Sequence, residues 1–283
     1  MTLIIAGAAG AGLWPSNSLT GCKESAKLGV HGIEIDVQLS ADNQVVVFHD
    51  LQITGERVKD QSGNWYTGDP LPVKSLTVKE LQQFDMGELA PGHPMRNVFP
   101  DQQAVPNERI ATLQQVFAEL PPQLTFFLEL KNNPEDPRLS SDPQLLVERV
   151  IDCARDANRL SNVHLIAFDW SLLRLAKELE PKISVGNLTA SDYPDPHNWM
   201  QWHDGLDITA FDSEPDAIAH TGGDFWDAYL PDLTPEKLKR AHDLGLKVSI
   251  WGIGKHEKFL RLIDSGIDYV TTIRPDRFKE FYK

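Results

Sequence analysis

The chain reads as an α/β protein built on a mostly parallel sheet. Two observations predict this. Short apolar runs alternate with longer amphipathic stretches along nearly the whole sequence. With 283 residues, 41% of them hydrophobic, the chain is long enough for one large α/β domain or two small ones. Nine runs qualify as strands, one more than a (β/α)8 barrel needs.

In chain order the strand candidates are Leu3–Ala6, Ile33–Val37, Val45–Phe48, Leu124–Leu130, Val163–Ala167, Ile183–Gly186, Leu206–Thr209, Lys247–Trp251 and Tyr269–Thr272. The helix candidates are Ser18–Leu28, Thr77–Gln83, Thr112–Glu119, Asp142–Ala157, Ser171–Leu179, Thr234–Leu244 and Lys255–Ser265. Thr234-Pro235-Glu236 carries a helix-start signature: a capping hydroxyl, proline at the first helical position, then an acid in the first turn. The link from Val37 to Val45 is too short for a helical crossover, so that pair is expected to form a hairpin. Gln52 to Pro72 and Met86 to Asn107 are rich in Gly, Pro and polar residues and read as excursions from the main pattern, not as linkers between domains. No internal repeat or low-complexity tract is present.

The formal net charge of -14 argues against a nucleic-acid backbone as the main partner, while leaving room for an anionic substrate held by a metal. Two cysteines, Cys22 and Cys153, suit a reducing compartment and offer no metal-type spacing. Leu3 to Trp14 is apolar, but the first basic residue is Lys23, so the segment lacks the charged start of a signal peptide. No apolar run is long enough to span a bilayer. The cytoplasm is the expected location.

The chemistry concentrates on three strands. In Ile33-Glu34-Ile35-Asp36-Val37 the apolar residues share one face, and Glu34 and Asp36 share the other, roughly 6.5 Å apart. Two carboxylates on an otherwise apolar strand are costly to bury unpaired, and a hard cation with oxygen ligands would resolve the cost. The alternative is a solvated edge strand. His49 follows Val45 and Val47 on the same face of the next strand. In Leu128-Glu129-Leu130-Lys131, Glu129 and Lys131 share a face; they could join Glu34 and Asp36 at a barrel mouth or form a plain surface ion pair. Three carboxylates without His or Cys favour Mg²⁺ or Ca²⁺ over zinc, and Lys131 suits a phosphate oxygen.

These residues resemble the glycerophosphodiester phosphodiesterase family over nearly the whole chain. The matching stretches are Gly32–Val37, Ala41–Gln44 leading into Val45–Asp50, Ser75-Leu76-Thr77 with Glu80-Leu81, Ile110–Leu113, Leu128–Lys131, Ala167-Phe168-Asp169 and Trp251. The order and spacing of the set carry the resemblance. It implies a TIM barrel spanning residues 1–283 and hydrolysis of a small glycerophosphodiester of lipid metabolism to an alcohol and glycerol phosphate. It implies that Glu34, Asp36 and Glu129 bind the divalent metal, that His49 is an acid/base catalyst, that Lys131 binds phosphate and that Trp251 lines the substrate pocket. For Trp251 a core position at a strand end is the competing reading.

Several positions depart from the family pattern. Its first motif, His-Arg-Gly followed by Pro-Glu-Asn, falls here on Gly7-Ala8-Ala9 and Pro15-Ser16-Asn17. Its late Thr-Asp is Thr272-Ile273, and its Trp-Thr-Val-Asn is Trp251-Gly252-Ile253-Gly254. An acid/base His, a phosphate-binding Arg and an acid are therefore absent together. His93 and His256 lie in or near expected loops, and nothing in the sequence brings either to the site. The departures open a second reading, a binding protein on the same scaffold without turnover. A third is a nucleotide-dependent oxidoreductase, since Gly7-Ala8-Ala9-Gly10-Ala11-Gly12 loosely resembles a dinucleotide-binding turn. Leu13–Asn17 does not open a helix at those glycines, which weighs against it.

Overall fold

The computed structural model of the chain describes residues 1–193, 199–252 and 256–282. Eight parallel strands close into a barrel: β1 (Leu3–Ala6), β2 (Gly32–Leu39), β6 (Thr125–Leu130), β7 (Val163–Ala167), β8 (Ser184–Thr189), β9 (Phe225–Tyr229), β10 (Lys247–Trp251) and β11 (Tyr269–Thr272), with β11 returning to β1. Where β2 runs past the rim it pairs antiparallel with β3 (Val45–Val47), Val37 opposite Val47. This is the hairpin the short link requires.

Helices cover the outside: α1 (Leu19–Leu28), α4 (Leu113–Glu119), α5 (Pro143–Asp156), α6 (Trp170–Leu179), α8 (Glu214–Thr221), α9 (Pro235–Asp243) and α10 (His256–Asp264). Their starts follow the capping logic of the sequence. Ser18 accepts from the Gly21 N–H, Thr112 closes a capping box with Gln115, Asp142 accepts from the Leu145 N–H, and Thr234 accepts from the Lys237 N–H with Pro235 at the first helical position. One apolar cluster fills the space between helices and the outward strand faces, including Ile33, Ile35, Val37 and Leu128. A second fills the lower barrel interior with Ile5, Phe127, Ile166, Leu188, Phe225 and Tyr269.

The stretch between β3 and α4 makes its own small layer. β4 (Gln52–Ile53) and β5 (Leu71–Pro72) pair antiparallel, and short helices α2 (Val78–Leu81) and α3 (Met95–Val98) follow. Phe48, Ile53, Val58, Val73, Leu81 and Met86 bury against Val46 and Ile110. The expected excursions are thus a packed wall at one side of the barrel mouth.

One expectation is corrected and one is borne out. Leu206–Thr209 is not a strand; Ile208–Ala210 forms a 3-10 turn, because the Asp207 carboxylate accepts from the Thr209 N–H at 3.0 Å and closes the backbone locally. The barrel strand missing from the sequence reading, sixth of the eight in chain order, is Phe225–Tyr229. The glycine run after β1 forms a 3-10 turn at Gly7–Ala9 and opens no helix; α1 begins only at Leu19. A dinucleotide-binding turn needs a helix N-terminus at its glycines, so this geometry removes the support for the oxidoreductase reading. Ile253 and Gly254, and Lys255 at the expected start of the last helix, lie outside the described residues.

Candidate active site

Glu34 and Asp36 point inward from β2, and Glu129 points inward from β6, where it pairs in register with Asp36. One carboxylate oxygen from each lies within 4.8 Å of the others. Lys131, just past β6, sends its ammonium to Glu129 Oε1 at 2.6 Å and Asp36 Oδ1 at 3.4 Å. Backbone and side-chain donors fix the acids from behind. The Ala8 N–H donates to Glu34 Oε2 at 2.6 Å. Asn17 donates from Nδ2 to Asp36 Oδ2 at 2.7 Å and accepts the Asp36 N–H at 2.8 Å.

The electrostatics are those of a crowded, buried carboxylate cluster. Burial pushes the Glu34 carboxyl well above the ordinary range, and Asp36 and Glu129 push it further. Burial also raises Glu129 despite the opposing pull of Lys131. For Asp36, burial is outweighed by Lys131, His49 and the Asn17 hydrogen bond, which hold it low. Burial would lower the Lys131 ammonium, but the charges of Glu129 and Asp36 and the hydrogen bond to Glu129 outweigh it and hold it well above the ordinary range. Asp36 is buried, yet its Oδ1 makes no hydrogen bond and faces Lys131 only as an ion pair. An oxygen-only donor set with a buried, incompletely satisfied carboxylate fits a hard divalent cation.

His49 stands just beyond β3 at the edge of this cluster. Gln38 donates from Nε2 to the carbonyls of Phe48 and Asp50, at 2.8 and 2.9 Å, and so clamps the backbone on both sides of the histidine. His49 Nδ1 meets Asp50 Oδ1 at 2.6 Å, and Arg57 holds the same carboxylate through Nε at 2.7 Å. Burial alone would raise Asp50; the His49 hydrogen bond and Arg57 win and hold it far below the usual carboxylate range. An ionised carboxylate can only accept, so Nδ1 carries the proton and Nε2 is the atom left to exchange one.

His49, Glu129 and Lys131 share a cavity of about 430 Å³ with Phe168, Tyr193 and Trp202. Trp251 sits behind this wall, its ring 5.6 Å from Phe168 and 4.9 Å from Tyr229. His93 accepts from the Met95 N–H, and His256 packs on Phe278; neither lines the cavity.

The model of the glycerophosphoryl diester phosphodiesterase family matches residues 9–277. The chain belongs to that family. A glycerophosphodiester phosphodiesterase of Caldanaerobacter subterraneus is 26% identical to it over 278 residues, covering 97% of this chain and 95% of the relative. A Silicibacter pomeroyi structure described as a candidate glycerophosphoryl diester phosphodiesterase superposes with a TM-score of 0.87 at 28% identity, covering all of this chain and 93% of that one. An Oleispira antarctica phosphodiesterase solved with the product sn-glycerol-3-phosphate shares the fold, with a TM-score of 0.74 at 18% identity over all of this chain and 96% of that one. The barrel is the TIM barrel of this family.

Three groups in the site were not singled out as functional from the sequence. Asn17 stood only as a register marker beside Pro15; its left-handed φ of 61° marks it as a specialised position. Asp50 follows His49 directly, a spacing that could have been read as an orienting pair. Asp227 comes from β9, the strand that went unrecognised. It is buried with Oδ1 unpartnered, and burial, aided by Glu129, lifts its carboxyl to about 7 against the pull of the Ser249 hydroxyl.

Proposed function

We propose that the chain hydrolyses glycerophosphodiesters to glycerol phosphate and an alcohol, using Mg²⁺ or Ca²⁺ held by Glu34, Asp36 and Glu129. The single observation that carries the reading is the clustering of those three carboxylates in a chain of this family, with Glu129 of the cluster lining one cavity together with Lys131 and His49. A divalent cation at the carboxylates supplies Lewis-acid polarisation of a phosphoryl oxygen and offsets charge that builds there.

The chain's own residues do the rest. Lys131 is a point charge for a second phosphate oxygen. His49 Nε2, with Nδ1 fixed by Asp50, gives a proton to the departing alkoxide as the P–O bond breaks; the water that adds to phosphorus releases its proton to solvent, from which His49 is reprotonated. Asp50, itself held by Arg57, keeps the ring aimed. Gln38 keeps the His49 backbone in place. The phenyl and indole rings of Phe168 and Trp202 exclude bulk water from one side.

Gly7 and Ala8 stand where the family carries its first His and its Arg. This one observation favours the second reading, ligand binding without turnover. An absent acid/base group lowers a rate by roughly 10²–10⁴-fold, so slow turnover resting on His49 is expected. Release of glycerol phosphate from a panel of glycerophosphodiesters, with Mg²⁺, Ca²⁺ or chelator, tests the proposal. Metal-dependent release that falls by about 10²-fold or more in His49→Ala is the expected result. No release from any diester with either metal would leave the binding-protein reading in its place.

A further inference from the structure

We infer that the cavity beside His49 and Lys131 selects phosphodiesters whose alcohol carries a compact organic cation, a quaternary ammonium above all. The inference rests on the phosphodiester reading given above and adds the alcohol to it.

The cavity has two unlike walls. Glu129, Lys131 and His49 form the ionic one. Phe168, Tyr193 and Trp202 form the other. Tyr193 meets Phe168 edge-to-face at 5.0 Å and Trp202 at 5.6 Å, so its ring is braced by two others and needs little ordering when a ligand arrives. Tyr193 is 48% exposed although its ring meets two other aromatic rings of the cavity. Burial raises its hydroxyl, and Lys131, Glu129 and Glu135 all act on it, so the residue stands beside the ionic wall.

Carboxylates outnumber cationic side chains in the cavity lining. Asp169, next to Phe168 in the chain, and Glu56 line the cavity, and the Trp202 indole N–H donates to Glu135 at 2.6 Å. Among the described residues, Lys131 is the one Lys or Arg in the lining, and its charge is already matched by Glu129 and Asp36. A cation over ring faces is attracted by the ring quadrupole, and carboxylates at the edge add to this. A neutral polyol gains neither term. The cavity volume is within the range of small-ligand sites, so phosphate and head group can occupy it together.

The test is binding to the full chain carrying His49→Ala, which keeps the diester intact during the titration. Glycerophosphocholine and glycerophosphoglycerol are titrated by calorimetry with Mg²⁺ present. The choline ester is expected to bind on the order of tenfold more tightly. Adding Tyr193→Leu, which keeps apolar bulk but removes the π face, should shrink the preference to within about twofold, and Tyr193→Phe should keep it. Equal affinities, no binding of either ester, or a preference that survives Tyr193→Leu would overturn the inference. Selective binding in a protein that hydrolyses no diester would overturn the hydrolase reading and leave this one standing. Hydrolysis of every diester at equal efficiency, with equal affinities, would do the reverse.

Discussion

Asn17 and Asp36 show how one short side chain can set a site. Asn17 bonds both the carboxylate and the backbone N–H of Asp36, and it does so from a left-handed conformation that asparagine tolerates better than most residues. Removing it leaves a buried N–H without its partner and frees a carboxylate whose orientation the proposed cation site would require. Asn17→Ala is therefore expected to weaken divalent-cation binding by roughly 10–100-fold, the usual effect of losing a group that orients a ligand. Calorimetric titration with Mg²⁺ or Ca²⁺ checks it; affinity equal to the wild type would mean Asp36 holds its geometry unaided.

At the scale of elements, the end of β1 decides how active the chain can be. Gly7 sits in the barrel wall, and a Cβ there would approach Thr271 Cγ2 to 3.0 Å, so a larger residue needs that methyl to yield by a few tenths of an ångström. Gly7→His with Ala8→Arg, in a Thr271→Ser background that removes the methyl, should raise diester hydrolysis on the order of 10²-fold. No gain in a folded, metal-binding variant would place the limitation elsewhere in the site. β2 and its hairpin were legible in the sequence because their signals are local. Glu34 and Asp36 alternate with Ile33, Ile35 and Val37, and the link to β3 is too short for a helix. Helix starts at Ser18, Thr112, Asp142 and Thr234 were legible for the same reason. β9 was missed because Phe225-Trp226-Asp227-Ala228-Tyr229 has no β-branched residue and places an acid on its inner face. Leu206–Thr209 misled because an apolar run was read without weighing Asp207, whose side chain bonds the backbone two residues on. Contacts such as Gln38 to Phe48 and Asp50, or the ring wall from Phe168 to Trp202, join residues by tertiary packing that no spacing encodes.

Across the whole molecule, buried titratable groups tie stability to pH in opposing directions. Burial, helped by Lys247, brings His164 down from 6.5 to about 4 inside the barrel. Between those values the unfolded chain takes up a proton that the folded chain refuses. The stability this group provides is therefore complete above 6.5 and lost as pH falls toward 4. Asp227 works the other way: raised from 3.8 to about 7, it stabilises the fold at low pH and loses that effect as pH rises through 7. Because the two partly cancel, the difference between wild type and His164→Phe isolates the histidine. That difference should shift in favour of the variant by up to about 3 kcal/mol between pH 6.5 and 4, measured by denaturant unfolding. A difference independent of pH would mean His164 titrates normally.

The barrel brings Glu34, Asp36 and Glu129 together from two strands, and everything proposed for this chain depends on their holding one divalent cation. Titration of the wild type and of Glu129→Gln with Mg²⁺ and Ca²⁺ measures this directly. The account predicts one ion per chain in the wild type, lost or weakened by about 10²-fold or more in Glu129→Gln, with diester hydrolysis rising over the same concentrations that fill the site. Binding of equal strength in both proteins, or none in either, would contradict it.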